Sequence, residues 1–230
     1  ELKTPVTSIK AYAQILLRRF QKDGNSTAEA MVAKMDGQLN KLISLIGDLL
    51  DVTKIEGGRL QLHEEFYNFN LLVEELAEEL QRTAEDHKII VSPFEEIHMY
   101  GDKERIGQVL TNLITNAIKY SPGKEDIFVN VSNDARSVTV CVKDKGVGIS
   151  QENQEKVFER FFRVSSPQNQ SFPGLGLGLF ISTEIIKRQG GRIWVESEIN
   201  KGATFCFKLP IDYRVKEEEK NIPDKKIKYG

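Results

Sequence analysis

Apolar residues at the start of the chain fall on one helical stripe. Leu2, Val6, Ile9, Ala13, Leu16 and Phe20 are spaced 4, 3, 4, 3, 4, and the run ends at Asp23-Gly24-Asn25, which predicts a long helix followed by a turn. Met31, Met35, Leu39, Leu42, Ile46, Leu49 and Thr53 repeat this kind of spacing, and Gly57-Gly58 closes the run, so a second helix should return antiparallel to the first. Two helices alone cannot enclose a core. Stripes this long imply that two such hairpins meet as a four-helix bundle, making the chain a homodimer. The alternative is that the hairpin packs onto the remainder of its own chain.

After Leu60 the period changes. Leu60, Leu62 and Phe66 read as a connector, and Leu71 to Thr83 as an acidic amphipathic helix. Lys88 to Ser92 is predicted to be a short strand, Asp102 to Tyr120 a helix, and Ile127 to Val131 and Ser137 to Val142 alternating strands. Glu152 to Phe162 is predicted helical, Arg163 to Pro173 a polar loop and Gly178 to Gln189 a helix. Arg192 to Glu198 and Thr204 to Leu209 then form a closing hairpin. Helices and strands mix without regular alternation, which favours an α+β sandwich with helices on one sheet face. The expected organisation is a hairpin over residues 1–60, a connector over 61–66, an α/β sandwich over 67–212, and a charged tail or linker over 213–230.

Composition narrows the function classes. With 32 Lys+Arg against 34 Asp+Glu, the formal charge is -2, so no global basic field points to nucleic acid. The longest uncharged stretch, Val164 to Thr183, is interrupted by Pro167, Pro173 and three glycines, which excludes a membrane-spanning helix there. Cys141 and Cys206 sit in Val-Cys-Val and Phe-Cys-Phe runs. They read as isolated strand positions without metal or redox spacing, weakly in keeping with a reducing cytoplasm. The chain opens at Glu1 without an initiator Met, so a cytoplasmic fragment is expected, with any membrane part upstream.

Three segments carry candidate chemistry. On the helix Asp102 to Tyr120, Gln108, Asn112 and Asn116 share one face, with Lys119 three residues on, while Ile106, Val109, Leu110, Leu113 and Ala117 cover the other side. Neutral amide oxygens can ligate Mg²⁺ without cancelling its charge, and a lysine can meet the phosphates that the metal bridges. A merely solvated face is the alternative, although such faces usually recruit Glu and Lys. Asp144-Lys145-Gly146-Val147-Gly148 follows a strand, placing a carboxylate where it could accept a hydrogen bond from an exocyclic amine such as adenine's. A plain Asp-x-Gly turn would look the same. Gly174-Leu175-Gly176-Leu177-Gly178 enters a predicted helix and could present backbone N–H groups to phosphate or form only a flexible loop. It is neither a Walker motif nor a dinucleotide fingerprint.

Together these segments resemble the sensor histidine kinases of two-component systems. Asn112-x-x-x-Asn116-x-x-Lys119-Tyr120 resembles the asparagine box of that family, and Asp144-x-Gly146-x-Gly148 its first glycine box. Phe158-x-x-Phe161-Phe162-Arg163 resembles the phenylalanine box, and Gly174-x-Gly176-x-Gly178 the second glycine box. The resemblance implies an ATP-binding domain in which Asn116 ligates Mg²⁺, Asn112 and Lys119 contact phosphates, and Asp144 reads adenine. Tyr120 and Ile149 would flank the nucleotide, and Arg163, Leu175 and Leu177 belong to its surroundings. The terminal glycine box departs from the family, reading Asn200-Lys201-Gly202-Ala203-Thr204. Asn200 should take the left-handed turn and leave Thr204 near the site.

Glu1-Leu2-Lys3-Thr4-Pro5 resembles the phosphoacceptor box without its leading His, which is expected immediately before Glu1. By that resemblance Glu1 would orient the imidazole or act as base, and Thr4 could position water for dephosphorylating a response-regulator receiver domain. Thr4 could equally serve only the helix start. His63, His87 and His98 lie outside this box, in a connector, before a strand and before a helix, and read as solvent-facing structural residues. An ATP-driven conformational clamp and a nucleotide-binding dimeric scaffold are the alternative functions.

Overall fold

A computed structural model describes residues 3–84, 86–123, 125–164 and 174–211. It divides into two compact units, Glu1–Leu60 and Gln61–Gly230. Glu1 lies outside the described residues, as do most of the polar loop, residues 165–173, and the tail, 212–230.

The first unit is a hairpin of α1 (Lys3–Lys22) and α2 (Ser26–Glu56). Asn25 stops one helix and starts the next: its Oδ1 accepts the Ala28 N–H at 3.1 Å, satisfying an amide that the first turn of α2 leaves without a partner. Ala13 and Val32 are buried. Ile9, Tyr12, Ile15 and Leu16 on α1, and Met31, Met35, Leu42 and Leu49 on α2, stay at least 42% exposed. The apolar stripes are therefore only partly covered within one hairpin. No described helix is long and apolar enough to cross a membrane.

The second unit runs β1 (Glu65–Asn68), α3 (Phe69–Gln81), β2 (Ile89–Val91), β3 (His98–Gly101), α4 (Lys103–Tyr120), β4 (Ile127–Asn133) and β5 (Ser137–Lys143). Two 3-10 turns, Gln151–Asn153 and Lys156–Phe158, precede α5 (Gly178–Arg188), β6 (Arg192–Ser197) and β7 (Ala203–Pro210). The main sheet has the order β2-β4-β5-β7-β6, with β2 parallel to β4 and the other neighbours antiparallel. Alternation puts Ile127, Val129 and Val131, Val138, Val140 and Val142, and Phe205, Phe207 and Leu209 on one buried face. Ile106, Val109, Leu110 and Leu113 of α4 and Ile181, Ile185 and Ile186 of α5 are also buried, and both helices pack against this sheet. The architecture is α+β.

Four local expectations are corrected. The connector contains β1, which pairs with β3 in a separate two-stranded ladder where Phe66 faces Tyr100; such short strands have too few positions to show a period. His98 is accordingly a strand residue, while His87 is half-buried with Nε2 2.6 Å from the Ser121 carbonyl oxygen. Glu152 to Phe162 forms two 3-10 turns instead of one helix. Cys141 and Cys206, far from isolated, form a disulfide: the β5–β7 register sets them opposite each other with Cα atoms 4.1 Å apart. Sixty-five residues separate them in sequence, so only the ladder could reveal the pairing. A disulfide does not favour a reducing compartment, which removes the argument from cysteine usage.

Asp102 anchors α4 from below. It is 2% exposed; Oδ1 accepts from Arg105 N at 3.0 Å and Oδ2 from His63 N at 2.8 Å. Asp102→Ala would leave two amides without their acceptor and should destabilise the second unit by about 2–4 kcal/mol. Denaturant unfolding followed by Trp194, the single tryptophan, measures this; a loss under about 0.5 kcal/mol would contradict the anchoring role.

Candidate functional site

The polar face of α4 is formed as its spacing predicts. Asn112 and Asn116 are half-buried, and the Asn116 Nδ2 group donates to Asn112 Oδ1 at 3.3 Å. Gln108 accepts from Arg105 Nη1 at 2.7 Å, so it serves the start of the helix. At the other end, Lys119 Nζ donates to the Tyr120 hydroxyl at 3.1 Å and lies 4.6 Å from the centre of its ring.

Asp144 is 4% exposed at the end of β5. Its Oδ1 accepts from Gly146 N at 2.8 Å and from Ala203 N at 3.2 Å, while its own N–H donates to the Ala203 carbonyl at 2.9 Å. Burial raises its pKa above the ordinary carboxylate value, against the lowering effect of the Gly146 and Ala203 amides. The second oxygen, Oδ2, accepts no hydrogen bond from the described residues.

The glycines around Asp144 are required by close approach. A Cβ at Gly146 would stand 2.0 Å from the Tyr120 carbonyl oxygen, and one at Gly202 would stand 2.1 Å from the Asp144 carbonyl oxygen. Val147 N also donates to the Tyr120 carbonyl, at 3.2 Å. The Asp144 loop thus hangs from the last residue of α4, which places the carboxylate next to the helix that carries the asparagines. Ile149 is half-buried beside it, its N–H donating to Ser197 Oγ at 2.8 Å.

Gly174, Gly176 and Gly178 lead into α5. Lys119 Nζ lies 3.5 Å from where a Gly174 Cβ would be. Gly176 has φ +71°, its carbonyl accepts from Phe161 N at 3.0 Å, and a Cβ there would fall 3.2 Å from the Arg163 side chain. Leu175 is exposed and Leu177 is 1% exposed, so the two leucines alternate between solvent and core. Among the described residues no side chain caps the start of α5. These elements bring Asn112, Asn116, Lys119 and the glycine loop together on one side of α4, with Tyr120, Asp144, Gly146, Gly148 and Ile149 at its C-terminal end.

Thr204 is not brought in. Asn200 does take the left-handed turn, with φ +62°, but Thr204 pairs with Lys143 and Glu196 on the sheet face opposite the helices. Ala203, one residue earlier, meets Asp144. The strand period of two decides this, and counting from Gly202 in sequence would have found it. Thr4 lies exposed in the first turn of α1, where its carbonyl accepts from Ser8 Oγ at 3.2 Å.

Two family models match the chain: the "Histidine kinase-, DNA gyrase B-, and HSP90-like ATPase" over residues 101–213 and the "His Kinase A (phospho-acceptor) domain" over residues 1–58. The catalytic domain of histidine kinase ThkA is 32% identical, with a TM-score of 0.55, and the match covers 65% of this chain and 98% of that domain. This chain belongs to the sensor histidine kinases.

Other relatives in the family match across both units. The sensor protein kinase WalK of Staphylococcus haemolyticus (strain JCSC1435) is 33% identical over 215 residues, 92% of this chain. That match spans 35% of WalK, so the chain covers about a third of this curated relative's length. Full-length ShkA, solved in complex with AMPPNP, shares the fold over 92% of this chain with a TM-score of 0.72 at 23% identity. ATP is thus the nucleotide class of this kinase core, carried by a family-matched ATPase domain. The buried Asp144, the carboxamide pair and glycines too crowded for a Cβ fit an adenine nucleotide with its cation.

An amine donating to the buried Asp144 carboxylate should be worth about 1.5–3 kcal/mol, or roughly 10- to 100-fold in affinity. Asp144→Asn should therefore remove most of the preference for ATP over GTP. Because burial raises the Asp144 pKa, the preference should also begin to fade, as pH is lowered, before an exposed aspartate would protonate. Calorimetric titration of both nucleotides across pH checks this; equal ATP and GTP affinities in the unmutated chain would remove Asp144 as the adenine reader.

Proposed function

We propose that this histidine kinase core binds Mg-ATP in the second unit and transfers the γ-phosphoryl to an imidazole one residue before Glu1. The phosphoryl then passes to an Asp of a response-regulator receiver domain. The observation that carries the reading is the joining of Asp144 to the C-terminal end of α4 through the Tyr120 carbonyl. It puts an adenine-type acceptor and a carboxamide and lysine face on one rigid element.

In this reading Asp144 Oδ2 accepts the adenine amine, and Tyr120 and Ile149 flank the base. Asn116 contributes an amide oxygen to the cation, while Asn112 and Lys119 face the phosphates. The backbone of Gly174, Gly176 and Gly178 and the uncapped start of α5 supply N–H donors around the phosphates, with Arg163 beside them. A bound Mg²⁺ would neutralise negative charge on the phosphates. Glu1 orients the imidazole or takes its proton. Thr4, three residues further on, holds water for hydrolysis of the regulator's phospho-aspartate, a separate reaction that breaks the acyl-phosphate P–O bond and releases inorganic phosphate. The site works in the cytoplasm, where ATP and the regulator are found, and any membrane attachment belongs to other parts of the protein.

With His placed before Glu1, the extended chain should label itself from γ-labelled ATP, and its Asn116→Asp variant should lose that label. Thr4→Ala in the extended chain should keep the labelling and slow dephosphorylation of a receiver domain. An extended chain that binds ATP and takes up no label would refute the phosphotransfer reading.

The exposed stripes of α1 and α2 support a homodimer through a four-helix bundle. Leu42 is 43% and Leu49 48% exposed, and a second hairpin would cover them. Replacing both by Glu should yield monomers that still bind nucleotide, read by sedimentation at micromolar concentration. Sedimentation of the unmutated chain as a monomer would eliminate the bundle.

A further inference from the structure

Ser182 lies in the middle of α5, outside every motif that points to the nucleotide. It is 2% exposed, and its Oγ accepts a hydrogen bond from Asn112 Nδ2 at 3.0 Å. Asn112 Oδ1 in turn accepts from Asn116 Nδ2 at 3.3 Å. The three side chains form a relay across the α4–α5 packing, with one N–H of each amide given to its neighbour's oxygen. What remains at the end is the Asn116 oxygen.

Direction matters because a primary amide has two different ends. One is an acceptor that can ligate a cation, and the other is a pair of donors that repels one. An Asn on a half-exposed helix face can turn either end outward at little cost. Here, reversing Asn112 would aim its Nδ2 at the Asn116 Nδ2, donor against donor. Asn116 could answer only by turning its own Nδ2 toward the metal position. Glycine at 178 makes room for the relay: a Cβ there would stand 2.3 Å from Asn112 Oδ1, so only glycine lets the start of α5 come this close to the amide.

We propose that Ser182 is a positioning residue: by bonding the Asn112 amide across the α4–α5 packing, it fixes the Asn112 oxygen on which the Asn116 amide nitrogen rests, and so the place from which Asn116 offers its own oxygen to the cation of the bound nucleotide. This rests on the Mg-ATP reading of the site. Ser182 touches neither nucleotide nor cation. Its action passes through two amides, as outer partners act on metal ligands elsewhere. The relay also links the helix that follows the glycine loop to the helix that carries the metal ligand, so α5 and Asn116 are set by the same contacts.

The test is calorimetric titration of ADP, with Mg²⁺ and with EDTA, on the unmutated chain and on five variants: Ser182→Ala, Ser182→Thr, Ser182→Val, Asn116→Ala and the double variant of Ser182→Ala with Asn116→Ala. Removing the hydroxyl should reduce the magnesium-dependent gain in ADP affinity roughly 10-fold, with the loss confined to that gain. Thr and Val have the same shape, and only Thr keeps an oxygen, so Ser182→Thr should retain the gain and Ser182→Val should lose it. Combining Ser182→Ala with Asn116→Ala should cost no more than Asn116→Ala alone, the non-additivity expected of one relay. Equal gains in the Thr and Val variants would overturn the proposal, as would a Ser182→Ala loss of the same size in EDTA, which marks a packing role. An unmutated chain with no magnesium-dependent gain, or a gain that survives Asn116→Ala, would instead overturn the Asn116 assignment underneath it.

Discussion

A carboxylate taken out of water must find hydrogen-bond donors close by, and the organisation of the second unit around Asp144 meets that demand. Both donors to Oδ1 are backbone amides, Gly146 two residues on and Ala203 from the neighbouring strand. The backbone carrying these amides can come that close only if two neighbouring positions have no side chain. The loop therefore needs glycine at 146 and 202, where a Cβ would lie within about 2 Å of a carbonyl oxygen. The β6–β7 turn must also fold sharply enough to return Ala203 to the end of β5, with Asn200 and Gly202 both in the left-handed region. The burial that raises the Asp144 pKa is also what makes an added hydrogen bond at Oδ2 strong.

Helix α4 carries this arrangement to the other end of the site. Its apolar side, Ile106 through Ala117, is locked in the core, so its polar side is held at a fixed rotation and height. The Tyr120 carbonyl ends the helix by accepting from the Asp144 loop, and Lys119 one residue earlier lies against the glycine loop. Asp102 fixes the opposite end through its cap and its bond to His63. Between these two anchors the carboxamides cannot drift along the helix axis. Transfer chemistry that depends chiefly on positioning and electrostatics is served by such a rigid reference.

The two units carry their apolar surface differently. In the second, strand alternation and helix stripes agree, and side chains such as Phe207, Leu113 and Ile185 are fully buried. In the hairpin, Asn25 caps α2 well, yet methionines and leucines on one side of α2 remain near half exposed. A surface of that length and regularity is stable in water when a matching surface covers it. The hairpin therefore offers an apolar face that a second hairpin can cover.

The sequence by itself was enough for what short-range periodicity encodes. The seven-residue spacing along α1 and α2, the Asn112-Asn116-Lys119 spacing on α4 and the Asp144-x-Gly146-x-Gly148 turn were legible because side-chain direction repeats every few residues along a helix or strand. Only tertiary structure decided what depends on register between distant segments. The Cys141–Cys206 disulfide, the β1–β3 ladder and the choice of Ala203 over Thr204 as the partner of Asp144 follow from which residue lies opposite which across a sheet. A one-residue shift there reverses every side chain. Ser182 belongs to the same class: nothing in its local sequence marks it. It meets Asn112, seventy positions earlier, because two helices pack side by side on one sheet, and that packing is set by the whole core at once.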